Sequence, residues 1–389
     1  MGKLRAFSIL TLLPISFAVI SACQHSSKSE APRDVNRIEV IEFRDLPGLE
    51  ESDIQLGGFS GLTFDGNMSG RLTFKTHTDR GPNENPRPME RKGAGKSMRR
   101  PFLIPEFQPR WVQFSFEPAS KTLRLDNQIL LTHNGKKMTG LPNKFEGEKW
   151  DEYPVDKNDK PLRLDLMGID PEAIVRSTDG SYWMSEEYRP SLMHFSADGK
   201  LLKRLVPEGS PAGTGEPLLP GRYLKRRLNG GFEGIAFREG TVYGFLQSSL
   251  TGEDGKTRIL AVDSESGKTK ADYLYEFEKA PEGWSAPNKI GDAAALPDGS
   301  FLVIEQNSVA GDKAIHNIYR VTPGNDGELV KKTLLVNLVE LGLSNFEKVE
   351  GLALVDNKTL ALVTDNDFAL FNKQNSAFVL VHLAEPLFK

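Results

Sequence analysis

The chain has 389 residues, of which 26% are charged, and a formal net charge of −4 at pH 7. A mildly acidic chain without a basic stripe excludes nucleic acid as the main partner. A single cysteine excludes an internal disulfide framework and any metal held by several thiolates.

In chain order, the first segment reads as an address. Lys3 and Arg5 precede an apolar run from Ala6 to Ile20, and Ile20-Ser21-Ala22-Cys23 matches a lipobox. A charged start, about 7–15 apolar residues and small residues at the cut mark a secretory signal, whereas a membrane span needs about 20 apolar residues. Residues 1–22 are therefore expected to leave as a lipoprotein signal peptide, with Cys23 lipidated and residues 23–36 acting as a polar tether. Loss of Lys3 and Arg5 takes the net charge from −4 to −6. Gln24 stands where an inner-membrane retention signal has Asp, so the expected location is the bacterial cell envelope. The anchor is expected in the outer membrane, facing the periplasm or the exterior.

From residue 37 onward a repeat sets the architecture. Asp170-Pro171-Glu172-Ala173-Ile174, Phe232-Glu233-Gly234-Ile235-Ala236, Gly291-Asp292-Ala293-Ala294-Ala295 and Val349-Glu350-Gly351-Leu352-Ala353 begin alike, with acids 61, 59 and 58 residues apart. A fifth start, Phe59-Ser60-Gly61-Leu62-Thr63, has serine in place of the acid. Each start is followed by a turn and then β-rich runs such as Phe301-Leu302-Val303-Ile304 and Ile259-Leu260-Ala261-Val262. Four strands per unit describe blades of an all-β, antiparallel β-propeller. Five blades are visible, and Arg37 to Phe43 is expected to supply the strand missing from the last one and close the ring. Insertions fall at about 81–109 and 132–166; the second is long enough to leave six blades open. Only Val336 to Phe346 reads as a short helix. One propeller domain is expected over 37–389, as a monomer.

Up-and-down strand order places the start of each first strand and the end of each second strand at one end of the blade. That gathers Glu172, Glu233, Asp292 and Glu350 with Asp79, Glu187, Asp365 and Asp367. Crowded carboxylates raise one another's pKa unless a cation answers them. Hard oxygen donors with only six histidines in the chain point to Ca²⁺, or Mg²⁺, rather than Zn²⁺. Asp79, Glu172, Glu233, Asp292, Glu350 and Asp365 are the expected metal ligands. Arg80, Arg189 and Lys289 lie beside them in sequence and suit an anionic substrate. Gly58-Phe59-Ser60-Gly61 is not a nucleophile elbow, because no helix follows it.

These motifs carry a family resemblance. Ser60-Gly61-Leu62, Asp79-Arg80-Gly81-Pro82, Asp170-Pro171-Glu172, Ser185-Glu186-Glu187-Tyr188, Gly231-Phe232-Glu233-Gly234, Asp292-Ala293-Ala294, Glu350-Gly351-Leu352 and Asp365-Asn366-Asp367-Phe368 resemble the phytase-like, "esterase-like activity of phytase" β-propellers over about 55–370. The resemblance implies hydrolysis of phosphate or other small esters, by analogy with calcium-dependent propeller phytases. Ala173, Arg189 and Gln306 depart from the family's pattern. Under this reading Glu187 or Asp367 is the general base. Two other functions remain open from sequence: a non-catalytic binding propeller holding a structural ion, and a calcium-dependent lactonase.

Overall fold

The computed structural model describes residues 34–389 except 51, 91–95, 145–151 and 372. The expected signal peptide, Cys23 and the tether up to residue 33 lie outside the described residues. Among the described residues, no helix is long and apolar enough to cross a membrane.

The strands assemble into five blades. Blade 1 comprises Phe59–Met68, Arg71–Thr78, Arg110–Glu117 and Thr122–Leu130. Blade 2 comprises Pro171–Arg176, Tyr182–Glu186, Ser191–Phe195 and Leu201–Pro207, extended by the parallel strand Glu216–Leu219. Phe232–Arg238, Thr241–Leu246, Lys256–Asp263 and Thr269–Glu276 form blade 3. Lys289–Ala295, Phe301–Gln306, His316–Thr322 and Lys331–Asn337 form blade 4. Blade 5 takes Lys348–Leu354, Thr359–Asp365 and Ala377–Leu383 from the end of the chain and Val35–Glu42 from its start. The first strands pack side by side in the cyclic order 1-2-3-4-5-1, which closes the ring.

Burial follows position in the blade. The second strands Tyr182–Glu186, Phe301–Gln306 and Thr359–Asp365 are buried at every residue. They lie between neighbouring sheets, and their unbroken apolar runs are what a strand covered on both faces requires. The outer strand Thr122–Leu130 alternates between half-buried and exposed instead. The core is correspondingly divided into five layers, one between each pair of adjacent blades. Trp111 and Trp183 each fill one of these layers rather than a ligand site. Burial of such a side chain is worth about 1.5–3 kcal/mol or more.

Among the described residues, both insertions contribute to one small sheet and not to a sixth blade. Lys96–Pro101 pairs antiparallel with Arg87–Glu90 from the first insertion and parallel with Tyr153–Val155 from the second. The predicted helix is shorter than its sequence pattern: it occupies Val339–Leu343, because Val336 and Asn337 still belong to the last strand of blade 4 and Gly342 has a positive φ of 89°.

Candidate active site in the propeller channel

A β-bulge in each first strand positions the motif acids. In blade 2, Pro171 pairs with Glu186 and Ala173 with Ser185, so Glu172 is the extra residue. Glu233 and Glu350 occupy the same place in blades 3 and 5. A bulged residue has no ladder partner and can be re-aimed, and here all three carboxylates line one cavity of about 330 Å³ at the end of the channel. The small residue after each acid permits the inner strands to approach closely.

Among the described residues, nine carboxylates and four cations line this cavity. Glu172, Glu233 and Glu350 form one trio and Asp170, Glu172 and Glu187 a second, with one oxygen from each member within 4.8 Å of the others. Glu172 belongs to both. Gln247 ties the trios together, donating from Nε2 to Glu187 Oε1 at 2.8 Å and to Glu233 Oε2 at 2.6 Å. Behind them, Gly231 passes so close to Glu187 that a Cβ would lie 2.3 Å from its carbonyl oxygen.

Burial, then the charges of Glu233, Asp170, Glu187 and Glu350, push the Glu172 carboxyl well above its usual pKa. Burial, with Glu187 and Glu350, does the same to Glu233. Glu187 is raised to about 8 by burial and Asp170, against the pull of Arg80, Lys289 and Arg226. Such a set is poised for a cation. Calcium–oxygen distances of about 2.3–2.6 Å place opposite ligands about 5 Å apart, which matches the spacing within each trio. The residues present therefore fit a hard divalent cation.

A third trio, Asp79, Asp365 and Asp367, is already answered within the chain. Lys348 Nζ donates to Asp365 Oδ2 and Asp367 Oδ1, each at 2.7 Å. Asp367, Phe368 and Ala369 all have positive φ (46°, 55° and 57°), a strained turn that presents Asp367 to this lysine. Gly58 leaves room for the Phe368 ring that anchors the turn.

Two expected site residues are not brought to this cavity. The Asp292 carboxylate accepts the backbone amides of Ala293 at 2.7 Å and Leu352 at 2.9 Å, and also those of Ile235 and Leu62. It joins the inner strands of blades 1, 3, 4 and 5 and is not among the clustered oxygens. Its bulge sets Gly291 and Asp292 against Ile304, and its side chain is one methylene shorter than Glu. Arg189 is 1% exposed. Its amide donates to Glu186 Oε2 and its Nη2 to the Asn143 carbonyl, which holds it away from the cavity lining.

The other two predicted cations do line the cavity. Arg80 Nη1 pairs with Asp170 Oδ2 at 3.1 Å, and its amide donates to Asp170 Oδ1. Burial works against the charge of Lys289, but Glu233 and Glu350 hold its pKa above the usual value. Sequence reasoning missed Arg100 and Lys348, and gave no role to Asp170, Gln247 and Asn229, which stand in or beside its motifs. Asp170 and Lys348 each stand two residues before a motif glutamate, a spacing that could have found them. Arg100 comes from the first insertion and is clamped by Glu152, Asn83 Oδ1 and the Glu84 carbonyl. Ser60 serves the frame: its Oγ donates to the Glu172 carbonyl at 2.7 Å.

The electrostatics predict how the metal-free protein responds to pH. Folding raises Glu187 from 4.5 and Asp365 from 3.8, each to about 8, with burial as the main cause. Their contribution to stability is complete below the unfolded values and lost as pH rises through about 8. His77 and His316, lowered by burial from 6.5 to about 4, act in the opposite sense, but only below pH 6.5. Denaturation midpoints are thus expected to fall between pH 6.5 and 8 without metal, and to rise over the same range when Ca²⁺ is present, because the metal competes with protons for the same oxygens.

Comparison with known proteins agrees with the site's motif pattern. The sequence model of the phytase-like family, described as "Esterase-like activity of phytase", matches residues 54–368. An "Uncharacterized secreted protein" of Arthroderma benhamiae is 28% identical over 246 residues, 50% of this chain and 48% of that protein. The chain thus aligns with about half the length of that relative. Among solved structures, β-1,2-mannobiose phosphorylase from Listeria innocua is similar at a TM-score of 0.46 and 11% identity, over 88% of this chain and 96% of that one. A luciferin-regenerating enzyme is similar at a TM-score of 0.39 and 12% identity, over 90% and 97%. The family match covers all three carboxylate trios, and the chain belongs to the phytase-like, esterase-like-activity-of-phytase family.

Proposed function

We propose that this protein is an extracytoplasmic, metal-dependent hydrolase of phosphate or other small esters, acting in the propeller channel. The observation that carries the reading is the pair of carboxylate trios sharing Glu172, buried beside Lys289. Glu172, Glu233, Glu350 and Asp170 would hold Ca²⁺ or Mg²⁺. A divalent cation bound there would supply Lewis acidity toward a phosphoryl or acyl oxygen.

The chain's own groups account for the remaining requirements. Among the described residues Lys289 has no salt bridge, so its ammonium can take an anionic ester oxygen, whereas Arg80 is spent chiefly on fixing Asp170. Glu187 is the favoured general base, since Gln247 fixes one of its oxygens and burial with Asp170, partly offset by Arg80, Lys289 and Arg226, holds its pKa near neutrality at about 8. Asp367, engaged by Lys348, is the weaker candidate. The secreted relative supports an extracytoplasmic place, and the reading completes this with a lipid anchor at Cys23 in the outer membrane.

The test is a thermal-shift titration of EDTA-stripped protein with Ca²⁺ and Mg²⁺, followed by turnover of phosphate monoesters and lactones. A saturable shift with phosphate release supports the reading. A shift without turnover of any ester leaves a binding propeller with a structural ion, and turnover of lactones alone makes it a lactonase. No shift with either metal removes the metal site.

A further inference from the structure

The channel cavity does not end at the carboxylates. Asn229, Gln247 and Lys289 line it and also line a groove of about 1160 Å³ between blades 3 and 4. This second space runs outward past Ser248 and Ser249 to Trp284. For an ester whose reacting group sits beside Lys289, this groove is an adjoining space that its organic portion can enter.

Three features of the groove describe that portion. The first is Asn229, at the junction of the two spaces. Its backbone has a positive φ of 48°, and its Oδ1 is shielded from solvent with no hydrogen-bond partner among the described residues. A shielded acceptor without a donor is costly, and strained residues of this kind cluster at ligand clamps. Oδ1 can only accept, so it calls for a donor such as a hydroxyl group.

The second feature is Trp284. Unlike Trp111 and Trp183 it is only half-buried, and no ring stacks on it among the described residues. Its loop is tied down from outside the groove: Asn307 Nδ2 donates to the Ser285 carbonyl and Lys313 Nζ to the Gly283 carbonyl. A held, open indole offers an apolar face to the C–H face of a ring and a polar edge to its hydroxyls.

The third feature is charge. Beyond Lys289 the groove carries three cations, Arg227, Lys279 and Lys332, and three acids, Asp254, Glu276 and Glu278. Arg227 pairs with Asp254, and Lys332 pairs with Glu278 at 3.4 Å and Glu305 at 2.7 Å. Charges matched three to three, with Arg227 and Lys332 already paired, do not select a second anionic group.

We propose that the groove between blades 3 and 4 is the subsite for a neutral polyhydroxylated ring, a sugar carrying a single ester, with Asn229 accepting a ring hydroxyl and Trp284 as the stacking platform. The proposal rests on the ester-hydrolase reading for the orientation of the substrate, and it places specificity in residues remote from the reacting group. Binding energy realised there helps to hold the ester in position.

The experiment uses the calcium-loaded protein and three probes: inorganic phosphate, a hexose 1-phosphate and methyl α-glucoside. Two variants are compared with the unmodified chain. Trp284→Ala removes the platform, and Asn229→Gly removes the acceptor while keeping a residue that tolerates positive φ. The hexose 1-phosphate is expected to bind at least about tenfold tighter than inorganic phosphate, and each variant to reduce that preference to about threefold or less. Phosphate affinity itself should change less than about twofold in Trp284→Ala, whose indole lies outside the carboxylate cavity. Saturation-transfer NMR should detect methyl α-glucoside on the unmodified protein and lose it in Trp284→Ala. Undiminished preference in both variants, or no glucoside signal on the unmodified protein, overturns the subsite. Glucoside binding that disappears in Trp284→Ala, without phosphate binding or ester turnover, supports the subsite while rejecting the phosphate-ester reading.

Discussion

Glu172→Gln is expected to abolish the calcium-induced rise in melting temperature and, at the same time, to raise the melting temperature of the metal-free protein. The two effects have one cause. Glu172 is the carboxylate shared by both trios, so its loss takes a ligand from each. A cation present at a hundredfold excess over its dissociation constant stabilises the folded state by about 2.7 kcal/mol, and that increment should vanish. Without metal, the same carboxyl is buried among Glu233, Asp170, Glu187 and Glu350, all disfavouring its charge. Its side chain has little to lose, since the Ser60 hydroxyl lies 3.5 Å from its Oε2. Gln removes the cost of protonating or burying that carboxylate on folding, and about 1 kcal/mol corresponds to about 2–4 °C in a domain of 150–250 residues, less in a longer one. Thermal scans of both proteins, with EDTA and with Ca²⁺, check the pair of signs. A variant less stable in EDTA but still shifted by Ca²⁺ would mean that Glu172 is a structural hydrogen-bonding residue.

Asp292→Ala should produce the opposite pattern: a large loss of stability, with calcium affinity at low temperature close to that of the unmodified protein. Its carboxylate satisfies amides from four blades, those of Leu62, Ile235, Ala293 and Leu352. An orphaned buried donor costs about 1–3 kcal/mol, and several together put the loss at about 4 kcal/mol or more. Asn at this position retains one acceptor oxygen but turns an NH₂ toward amides that also donate, so Asp292→Asn should fall in between. Urea denaturation gives the stability, and calcium titration at low temperature gives the affinity. Unchanged stability with lost calcium affinity would return Asp292 to the metal ligands.

The two acids share a motif position, and this marks how far the sequence was legible. The propeller could be read because each blade repeats a start, a turn and a buried strand, and because the apolar runs of Phe301–Gln306 and Thr359–Asp365 require cover on both faces. The closing strand could be read from the fourth strand missing in blade 5. The absence of a sixth blade among the described residues could not, because Lys96–Pro101 is charged and does not alternate, and its pairing with Tyr153–Val155 joins segments more than fifty residues apart. At the site, strand order was enough to collect Glu172, Glu187, Glu233, Glu350, Asp79, Asp365 and Asp367 around one cavity. It could not separate acids that face the cavity from the one that takes backbone amides, since that depends on where each bulge falls in the ladder. Nor could it show that Arg189 is held away from the cavity lining, a choice made by Glu186 and Asn143.

Pairing of Val35–Glu42 with Ala377–Leu383 has a consequence for the making of the protein. Val35–Glu42 is built long before its partner, with a separation of 345 positions from Arg37 to His382. Contacts of such sequence separation are slow to form because the loop they close is long. During synthesis, four blades can take shape while the fifth waits for its third strand. The ring becomes whole only after Ala377–Leu383 has emerged, so until then the nascent chain carries an open seam at blade 5.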